Sequence, residues 1–464
     1  MTKRQNNGLE HKSHRSPSVT LISLGCPKNL VDSEIILGLF AGEDYQITPR
    51  MDEADIVVVN TCAFLRSARR EAMKVIENVL LWKKKFYGKL IIAGCLVQYY
   101  GEKAPEIFPE ADILLGVGEY GRLPDLLKQL FAGGESHRLC ERPSPRFPFQ
   151  RSFPRRISTP AHYAYLRISD GCDNRCTYCL IPELRGNYQE RPRALLISEA
   201  RRLVEEGVRE LILIAQDTSY YGYKNGGGRG LSSLLESLND IRGLDWIRIM
   251  YTHPGHIDRL LLQTIAACDK VCPYLDIPLQ HINDMILTKM GRNINRAGIE
   301  RVLRQARELV DGIRIRTTFM VGFPGEGEKE FTELVDFVIA QRFDHLGVFR
   351  YSPEEGTPAF RYQPGVDGSN GNRRQAKLME IQQEISAERL KELRGRVVPV
   401  IVDGPYPEAG SPLMVGRTAF QAPEVDGVVV VEGDGVQPGQ MIEVKITDSS
   451  EYDLYGVKEE VTAS

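Results

Sequence analysis

The feature that most constrains the fold of this chain is the regular alternation of short β-branched runs with longer stretches of helical character. Near the N-terminus three apolar runs follow this pattern, namely Val19–Leu24, Ile56–Asn60 and Leu90–Ala93. Continuous apolar runs are typical of strands that are buried on both faces, and a βαβ alternation favours a parallel sheet. The sequence therefore predicts an N-terminal parallel-sheet α/β domain over residues 19–132.

A second alternation covers residues 161–395. Its six candidate strands are Tyr165–Ile168, Glu210–Ala215, Trp246–Tyr251, Tyr274–Ile277, Ile313–Val321 and His345–Arg350. Helical stretches separate them, and a further helical run, Arg373–Leu393, closes the region. Six strand–helix units predict a central partial (βα)6 barrel. Residues 133–160 are rich in Pro, Arg and Ser, which predicts a linker between the two α/β domains.

The C-terminal part has a different texture, with short β runs punctuated by Gly and Pro: Val397–Val402, Val428–Val431 and Met441–Ile446. This pattern predicts a small antiparallel β-barrel over residues 396–464. At the other end, residues 1–18 are polar and lack the apolar core of a secretory signal, so we expect a disordered tail.

The composition limits the class of protein. The formal net charge of −3 and the 42% hydrophobic content are those of a globular protein and do not by themselves indicate a nucleic-acid binder. No apolar run approaches the roughly 18–20 residues that cross a bilayer. We therefore expect a cytoplasmic protein with no membrane contact.

Three cysteines in a C-x3-C-x2-C spacing, Cys172, Cys176 and Cys179, directly follow the first strand of the predicted barrel. Three close thiolates can hold three irons of a 4Fe–4S cluster and leave the fourth iron open to chelate a small molecule. The carboxyl end of a barrel strand is also where ligands bind. A zinc site is the alternative, but no His or Cys follows within the next few dozen residues to complete four ligands.

An aromatic residue, Tyr178, stands directly before the last of these cysteines, and in this form the segment resembles the radical-SAM superfamily. The resemblance implies S-adenosylmethionine on the open iron, catalytic cysteines at 172, 176 and 179, and further cofactor contacts at strand ends. We expect these contacts at Tyr178, Gln216, Gly322, Phe323 and Pro324. Ordinary strand-to-helix turns and solvated strand ends are the alternatives.

A second set of cysteines, Cys26, Cys62 and Cys95, lies upstream, each just after a predicted strand. Their separations are each about the length of one βα unit, so parallel neighbouring strands would bring the three sulfurs to one edge of the sheet. Such a set could hold a second cluster with an open iron. The alternative is that they are buried core residues, as free cysteines often are. We expect Cys140, Cys268 and Cys272 to be structural.

Two cysteine triads in this order, followed by a small β-barrel, resemble the methylthiotransferases of the radical-SAM superfamily from about residue 19 onward. Within that family the match is closest to enzymes that modify an aspartate of small-subunit ribosomal protein S-twelve. Two segments carry the closer match: Ser23–Glu34, with Pro-Lys after its cysteine where tRNA-modifying relatives usually have Gln-Met, and Tyr274–His281, with a final His where they tend to have Ser. Cys179–Gly186 is shared more broadly.

The resemblance implies a transferase with two 4Fe–4S clusters, whose metal ligands are the two cysteine triads, and a TRAM-like C-terminal barrel. S-adenosylmethionine would serve as methyl donor and as radical source, and sulfur plus methyl would be inserted at an unactivated C–H bond, the β-carbon of the aspartate. The implied partners are a basic ribosomal protein of the small subunit, an electron donor such as flavodoxin or ferredoxin, and a sulfur donor.

The charge of the C-terminal barrel bears on the substrate. Between Arg396 and Glu460 there are four basic and twelve acidic residues, a net charge of −8. A module that grips tRNA is expected to be basic, because neutralising phosphates supplies most of the affinity. An acidic module suits a basic ribosomal protein. Solubility alone is the other explanation, and RNA contact is a secondary expectation.

Three other functions remain open from the sequence. The nearest is a tRNA methylthiotransferase that acts on a modified adenosine of the N6-isopentenyl or threonylcarbamoyl type. A radical-SAM methylase with a spare cluster would keep its activity after loss of Cys26, Cys62 or Cys95. An iron–sulfur electron carrier or interaction protein would not cleave S-adenosylmethionine.

Overall fold

The computed structural model describes residues 16–132, 137–139, 152–223, 229–362, 368–407 and 413–459. The chain divides into two compact units, called here the N-terminal and the C-terminal unit. The first runs to Ala63, resumes over 67–142 and includes 153–156, and the second contains residues 64–66, 143–152 and 157–464. Most of the expected tail and linker, together with Cys140, lies outside the described residues.

The N-terminal unit contains a parallel sheet of six strands in the order β2-β1-β3-β4-β5-β6. The strands are β1 (Ser18–Ser23), β2 (Gln46–Ile47), β3 (Ile56–Thr61), β4 (Lys89–Gly94), β5 (Ile113–Leu115) and β6 (His137–Leu139). The helices are α1 (Pro27–Gly42), α2 (Arg66–Phe86), α3 (Cys95–Tyr100), α4 (Ala104–Ile107) and α5 (Leu123–Phe131). The predicted parallel sheet is confirmed.

Burial explains why these segments form a sheet with helices against it. Every residue of β3 is buried, as its continuous apolar run predicts. Helix α2 has one apolar stripe at helical spacing, and its buried residues are Ala72, Ile76, Val79 and Trp82. The sequence missed β2, β5 and β6, which are only two or three residues long and carry too little periodic signal.

The C-terminal unit begins with a parallel sheet of six strands in the order β14-β13-β12-β11-β10-β7, beside a short antiparallel β8–β9 pair. Its strands are β7 (Tyr163–Arg167), β8 (Ser169–Asp170), β9 (Gln189–Glu190), β10 (Glu210–Ile214), β11 (Trp246–Ile249), β12 (Val271–Gln280), β13 (Arg314–Val321) and β14 (His345–Arg350). Its helices are α6 (Ile181–Arg185), α7 (Arg193–Glu205), α8 (Gly230–Asn239), α9 (Arg259–Ala267), α10 (Asp284–Lys289), α11 (Arg296–Leu309), α12 (Glu328–Gln341) and α13 (Gly368–Lys391). The predicted partial (βα)6 barrel is confirmed.

Alternate residues of these strands lie in two environments, one of them apolar and the other with several charged side chains. One set, exemplified by Leu211 and Leu213 of β10 and Ile315 of β13, belongs to the main hydrophobic cluster with the helices. The intervening residues include the buried Glu210 and Arg248. The period of two therefore separates an apolar layer under the helices from a polar interior. Over the described part of the chain, no helix is long and apolar enough to cross a membrane.

The chain ends in a closed five-stranded barrel in the order β15-β16-β17-β19-β18. Its strands are β15 (Val397–Pro405), β16 (Met414–Thr418), β17 (Val429–Glu432), β18 (Met441–Ser449) and β19 (Leu454–Lys458). Valines at alternate positions, such as Val429 and Val431, fill its core. The prediction of a small antiparallel barrel is confirmed, although β17 and β19 run parallel because β19 returns between β17 and β18.

Within the C-terminal unit, the small barrel covers the amino ends of the parallel strands through buried ion pairs. Arg417 of β16, only 2% exposed in its side chain, lies 2.8 Å from Glu210, the first residue of β10. The same guanidinium donates from Nε to Asp403 at 2.7 Å and from Nη2 at 2.9 Å. Arg248 donates to Glu210 at 2.7 Å. The positive charge of Arg417 in the small barrel therefore compensates the negative charge of Glu210 in the parallel sheet.

A second group of polar contacts extends this interface. Asp426, in the loop before β17, accepts a hydrogen bond from the Tyr274 hydroxyl at 2.7 Å. It also pairs with Arg316 at 3.3 Å, and Arg316 in turn reaches Asp276 at 3.4 Å. Since buried charges are costly unless they are paired, the two barrels stabilise one another.

We predict that Arg417→Met destabilises the C-terminal unit by about 3–5 kcal/mol, because it leaves Asp403 without its guanidinium partner and Glu210 with only Arg248. Denaturant unfolding of the full chain measures the change. Arg396→Met is the matched control, because Arg396 is an exposed arginine of the same barrel and its loss should cost less than about 0.5 kcal/mol. Equal stability of the two variants would contradict the interpretation.

Candidate functional site

The triad of Cys26, Cys62 and Cys95 lies at one edge of the N-terminal sheet. Strands β1, β3 and β4 are neighbours, and their registers pair Ser23 with Asn60 and Thr61 with Gly94. Cys62 and Cys95 therefore follow paired residues directly at the ends of their strands, and Cys26 lies one residue further along its own chain segment. The three residues stand after the carboxyl ends of adjacent parallel strands, which is the arrangement that the strand spacing predicts.

The approach of Cys26 to this edge depends on Gly25. This glycine has φ +96°, in the left-handed region that favours glycine. A Cβ at this position would lie 2.7 Å from the Cβ of Cys62 and 3.1 Å from its Sγ. Only a residue without a side chain fits between the two strand ends, so Gly25 permits the first two cysteines to lie together.

One polar side chain joins the three strand ends. The amide nitrogen of Asn29 donates to the carbonyl of Leu24 and to that of Thr61, both at 2.8 Å, and these carbonyls stand just before Cys26 and Cys62. Its Oδ1 lies 3.8 Å from the Sγ of Cys95. Sequence reasoning did not single out Asn29. Its place three residues after a candidate ligand, in the first turn of α1, is the signal that could have found it.

The triad of Cys172, Cys176 and Cys179 lies in a loop between β7 and α6. The short pair β8–β9 closes the base of this loop, and the Cys172 amide donates to the Gly186 carbonyl at 3.1 Å. Gly171 has φ +72°, and a Cβ there would lie 2.2 Å from the carbonyl oxygen of Asn187. The backbone hydrogen bond from Cys179 to Cys176, at 3.1 Å, turns the chain between the last two cysteines. The loop thus holds its three thiols close together.

The chemistry of these thiols suits a bound cation. Burial raises the pKa of the Cys172 thiol to about 12, and the neighbouring Asp217 and Cys176 add to the effect. Burial and the other two cysteines also raise the pKa of Cys179. Clustered thiols of this kind stay protonated until a cation compensates the thiolate charge, as an iron–sulfur cluster does. The donor set therefore fits three irons with one open position.

A buried carboxylate anchors this loop to the barrel. Asp170 accepts hydrogen bonds from Arg167 at 3.0 Å and from Arg185 at 2.8 Å. It also accepts from the side-chain amide of Gln216 at 2.6 Å. The Oε1 atom of Gln216 is buried and, among the described residues, has no hydrogen-bond partner. The sequence-predicted Gln216 therefore lies beside the cysteine loop with an acceptor still available.

The other predicted cofactor contacts lie around Tyr178, which stands within the cysteine loop. The ring of Tyr178 packs edge-on against Phe323, with centroids 6.4 Å apart. Gly322 donates its amide to Glu326 at 2.9 Å, which fixes the turn that contains Phe323 and Pro324. Tyr178, Gly322, Phe323 and Pro324 thus belong to one neighbourhood. Arg292, which the sequence missed, donates to the Tyr178 hydroxyl at 3.5 Å and to the Pro278 carbonyl at 2.7 Å.

A hydrogen-bond network joins the cysteine loop to two further strand ends. Asn174, inside the C-x3-C segment, donates to Asp217 at 2.8 Å, and His256 bonds the same carboxylate oxygen at 2.8 Å. Ser219 donates to the other oxygen at 2.7 Å and accepts from the backbone amide of His253 at 2.9 Å. His253 and His256 were missed, although they follow β11 as Gln216 and Asp217 follow β10.

Charges in this network are well defined. Burial alone would raise the pKa of Asp217, but the hydrogen bond and charge of His256 hold it below its ordinary value. Burial and the nearby Arg292 lower the pKa of His253 to about 3, so that imidazole is neutral at physiological pH. Ligand atoms of Asp217, His253 and His256 lie within 4.8 Å of one another. Because Asn174 and Ser219 already engage both carboxylate oxygens, we interpret the set as a positioning network.

Two of the remaining cysteines lie away from the Cys172 loop. Cys268 and Cys272 are buried, Cys268 after α9 and Cys272 in β12. Cys272 stands near Arg248 and Glu210, at the amino ends of the strands, whereas the Cys172 loop follows a strand's carboxyl end. This placement agrees with the structural role that the sequence suggests for them.

Three family models match the chain in succession. Residues 18–116 match the model described as uncharacterized protein family UPF0004, residues 166–338 match the radical SAM superfamily, and residues 395–458 match the TRAM domain. These matches fall on the N-terminal sheet, the partial barrel and the closed C-terminal barrel. Among solved structures, the radical S-adenosylmethionine methyltransferase TsrM from Kitasatospora setae is similar in fold, with a TM-score of 0.55 and 15% identity over 74% of each chain.

Curated relatives are similar over nearly the whole length. Ribosomal protein uS12 methylthiotransferase RimO of Pelobacter propionicus is 43% identical over 454 residues, which cover 97% of this chain and 100% of the relative. The enzyme of the same name from Geotalea uraniireducens is 42% identical over 439 residues, covering 94% of this chain and 97% of the relative. With the two cysteine triads at the edges of their sheets, this likeness means that the chain belongs to the RimO family of radical-SAM methylthiotransferases.

Proposed function

We propose that this transferase adds a methylthio group to the β-carbon of an aspartate in small-subunit ribosomal protein uS12. The observation that carries the proposal is the pair of cysteine triads, each just after the carboxyl ends of parallel strands, in a chain that matches relatives named for that substrate over nearly their full length. A ribosomal substrate agrees with the cytoplasmic location that the sequence predicts.

We assign one 4Fe–4S cluster to Cys172, Cys176 and Cys179, and a second to Cys26, Cys62 and Cys95. When bound, the first cluster and S-adenosylmethionine supply the one-electron chemistry that can break an unactivated C–H bond. The protein residues hold and orient the cofactor and keep water out of the site. Asp170 and Asp217 fix the cysteine loop from two sides, through Gln216 and Asn174 respectively.

The residues that surround the Cys172, Cys176 and Cys179 triad also fit a cofactor. The unpartnered Oε1 of Gln216 offers an acceptor for an amino group of S-adenosylmethionine. The Gly322 turn is held by Glu326, whose other oxygen accepts from Arg374 at 2.6 Å. Tyr178 and Phe323 pack together in an apolar cluster. These contacts orient a ligand without any side chain acting as a general base.

The C-terminal barrel supports a protein substrate rather than tRNA. Two of its acidic side chains, Asp403 and Asp426, are used inside the chain by Arg417 and Arg316. Glu408 and Glu460 lie outside the described residues. Six others are exposed: Glu424, Glu432, Asp434, Glu443, Asp448 and Glu451. An exposed surface of this sign repels phosphates and attracts a basic protein. The tRNA alternative is therefore not favoured.

Mass spectrometry of a deletion strain tests the substrate. We expect ribosomal protein uS12 to lose a methylthio mass, on an aspartate, while tRNA keeps its methylthio modifications. Complementation with the full chain restores the mass and provides the control. Loss of the modification from tRNA with an unchanged ribosomal protein would overturn the proposal in favour of the tRNA enzyme.

Replacement of each triad by alanine should remove one cluster. The reconstituted wild type should contain about eight irons per chain, and either triple variant about four, because each triad holds one 4Fe–4S cluster. Iron and sulfide quantitation with electron paramagnetic resonance measures this. Cys268→Ala, which removes a buried thiol outside both triads, should leave the iron content unchanged.

Activity separates the roles of the two triads. The variant without Cys172, Cys176 and Cys179 should not cleave S-adenosylmethionine. The variant without Cys26, Cys62 and Cys95 should retain cleavage but transfer no methylthio group. Full methylthiolation by the second variant would instead show a methylase with a spare cluster.

Charge reversal of the C-terminal barrel should weaken recognition of the protein substrate. We expect Glu432→Lys/Glu443→Lys/Glu451→Lys to raise the KM for ribosomal protein several-fold at low salt, with little change at high salt, because screening removes the attraction between exposed charges. Steady-state kinetics at two ionic strengths measures the effect. The control reverses three exposed acids of the α7, α8 and α11 helices, Glu205, Glu236 and Glu308. Equal effects in both triple variants would contradict specific recognition.

A further inference from the structure

Helix α2 and the turn after it have an exposed surface that the proposed reaction does not use. We call this surface the α2 basic face, and define it by Arg70, Lys74, Leu81, Lys84, Lys85, Phe86 and Tyr87. All seven residues are exposed. Leu81 is 67% exposed and Tyr87 is 90% exposed, although both are large apolar or aromatic residues. The opposite stripe of the helix packs on the sheet through Ile76, Val79 and Trp82.

Helix α2 carries a net positive charge. It contains seven basic residues and two acidic ones, the exposed Glu71 and Glu77, in a chain whose overall charge is −3. Among the residues that the structure describes, no carboxylate lies within ion-pair distance of Arg70, Lys74 or Lys85, although the charge of Lys85 acts on Asp52. Lys84 lies 3.8 Å from Glu110, but both side chains are exposed, and such pairs contribute little.

Two of these cations repel one another, whereas Lys84 and Lys85 lie in the last turn of the helix, where its dipole favours positive charge. Arg70 and Lys74 are one turn apart, where like charges repel. From Arg70 to Lys85 the helix rises about 22 Å, so the charges form a line rather than a single point. A partner that offers several anionic groups along a line would relieve the repulsion and gain from the attraction.

The aromatic residues at the end of the helix indicate the class of partner. Tyr87 has φ +55°, a left-handed conformation that glycine or asparagine would adopt more readily. Its ring is nevertheless held out in solvent, so packing within the protein does not explain it. The Lys85 ammonium lies 5.0 Å from the centroid of the Phe86 ring. Cations next to exposed aromatic rings are the combination that binds phosphates and stacks unpaired bases.

We propose that the α2 basic face binds RNA, and that the enzyme therefore recognises its ribosomal protein within the RNA-containing small subunit rather than as free protein. The identification of the small ribosomal subunit as the binding partner rests on the proposed function, whereas the RNA contact itself does not. A ribonucleoprotein offers both a basic protein and an RNA backbone. The chain carries a surface for each, acidic on the C-terminal barrel and basic on α2.

RNA binding is tested with a fluorescein-labelled RNA stem-loop of about 20 nucleotides, titrated with the reconstituted full chain across a range of salt concentrations. We expect Lys74→Glu/Lys84→Glu/Lys85→Glu to weaken binding at least tenfold at low salt. The slope of log K against log salt should fall by about 2–3, because roughly three phosphate contacts are lost. The control, Lys103→Glu/Arg122→Glu/Lys128→Glu, makes the same charge change at exposed positions of the same unit.

Tyr87→Gly tests the aromatic contribution separately. Glycine tolerates the positive φ, so the variant should be at least as stable as the wild type, and any loss of binding cannot come from unfolding. We expect RNA affinity to fall about tenfold with an unchanged salt slope, since stacking does not involve counterions.

Activity assays connect the contact to the substrate. The α2 triple variant should lose about tenfold in kcat/KM on small subunits purified from the deletion strain, while its rate on a peptide that contains the target aspartate stays unchanged. An RNA affinity and salt slope equal to those of the control would overturn the inference, whether or not the protein substrate is right. Unchanged RNA binding with slower reduction by flavodoxin would instead assign the face to an acidic electron donor.

Discussion

Parallel pairing of neighbouring strands is the constraint on which both cysteine sites depend. Cys26, Cys62 and Cys95 are far apart in the chain, and each would be an unremarkable buried or exposed thiol if its strand stood alone. Because β1, β3 and β4 pair in register, their carboxyl ends meet at one edge and the three cysteines meet with them. The same rule brings the ends of β7, β10 and β11 together around the Cys172 loop.

Strand pairing brings the cysteines near one another, and polar side chains then fix their loops. Asn29 spans three strand ends in the N-terminal unit, and Asp170 and Asp217 hold the Cys172 loop in the C-terminal unit. Each of these groups is itself satisfied by several hydrogen bonds, which is what makes a buried polar group tolerable and rigid. A site that must place a small cofactor accurately needs such support.

The acidic C-terminal barrel has two separate electrostatic roles. Asp403 and Asp426 face inward: Asp403 pairs with Arg417 of the small barrel, which also reaches Glu210, and Asp426 pairs with Arg316 of the parallel sheet. Six other described acids of the barrel, from Glu424 to Glu451, face solvent. The net charge calculated from the sequence does not distinguish the buried acids from the exposed ones. The inward pair contributes to cohesion between the two barrels, whereas the exposed acids control long-range attraction, which salt screens.

Much of the fold followed from the sequence, and the six cysteines proposed as ligands were visible in it, because both depend on local patterns. Apolar runs and helical periodicity are local patterns, and they predicted the parallel sheet and the partial barrel. The C-x3-C-x2-C spacing and the cysteines after strands led to the hypothesis that the six cysteines bind iron. Tertiary structure alone decided which distant polar residues serve these sites. Arg292 and Arg417 have no spacing signal, since their partners are brought to them by strand pairing and barrel closure. Charge patterning along α2 was visible in the chain, but only burial showed that its cations and Tyr87 face solvent together. Proximity between residues far apart in sequence is a property of the folded chain.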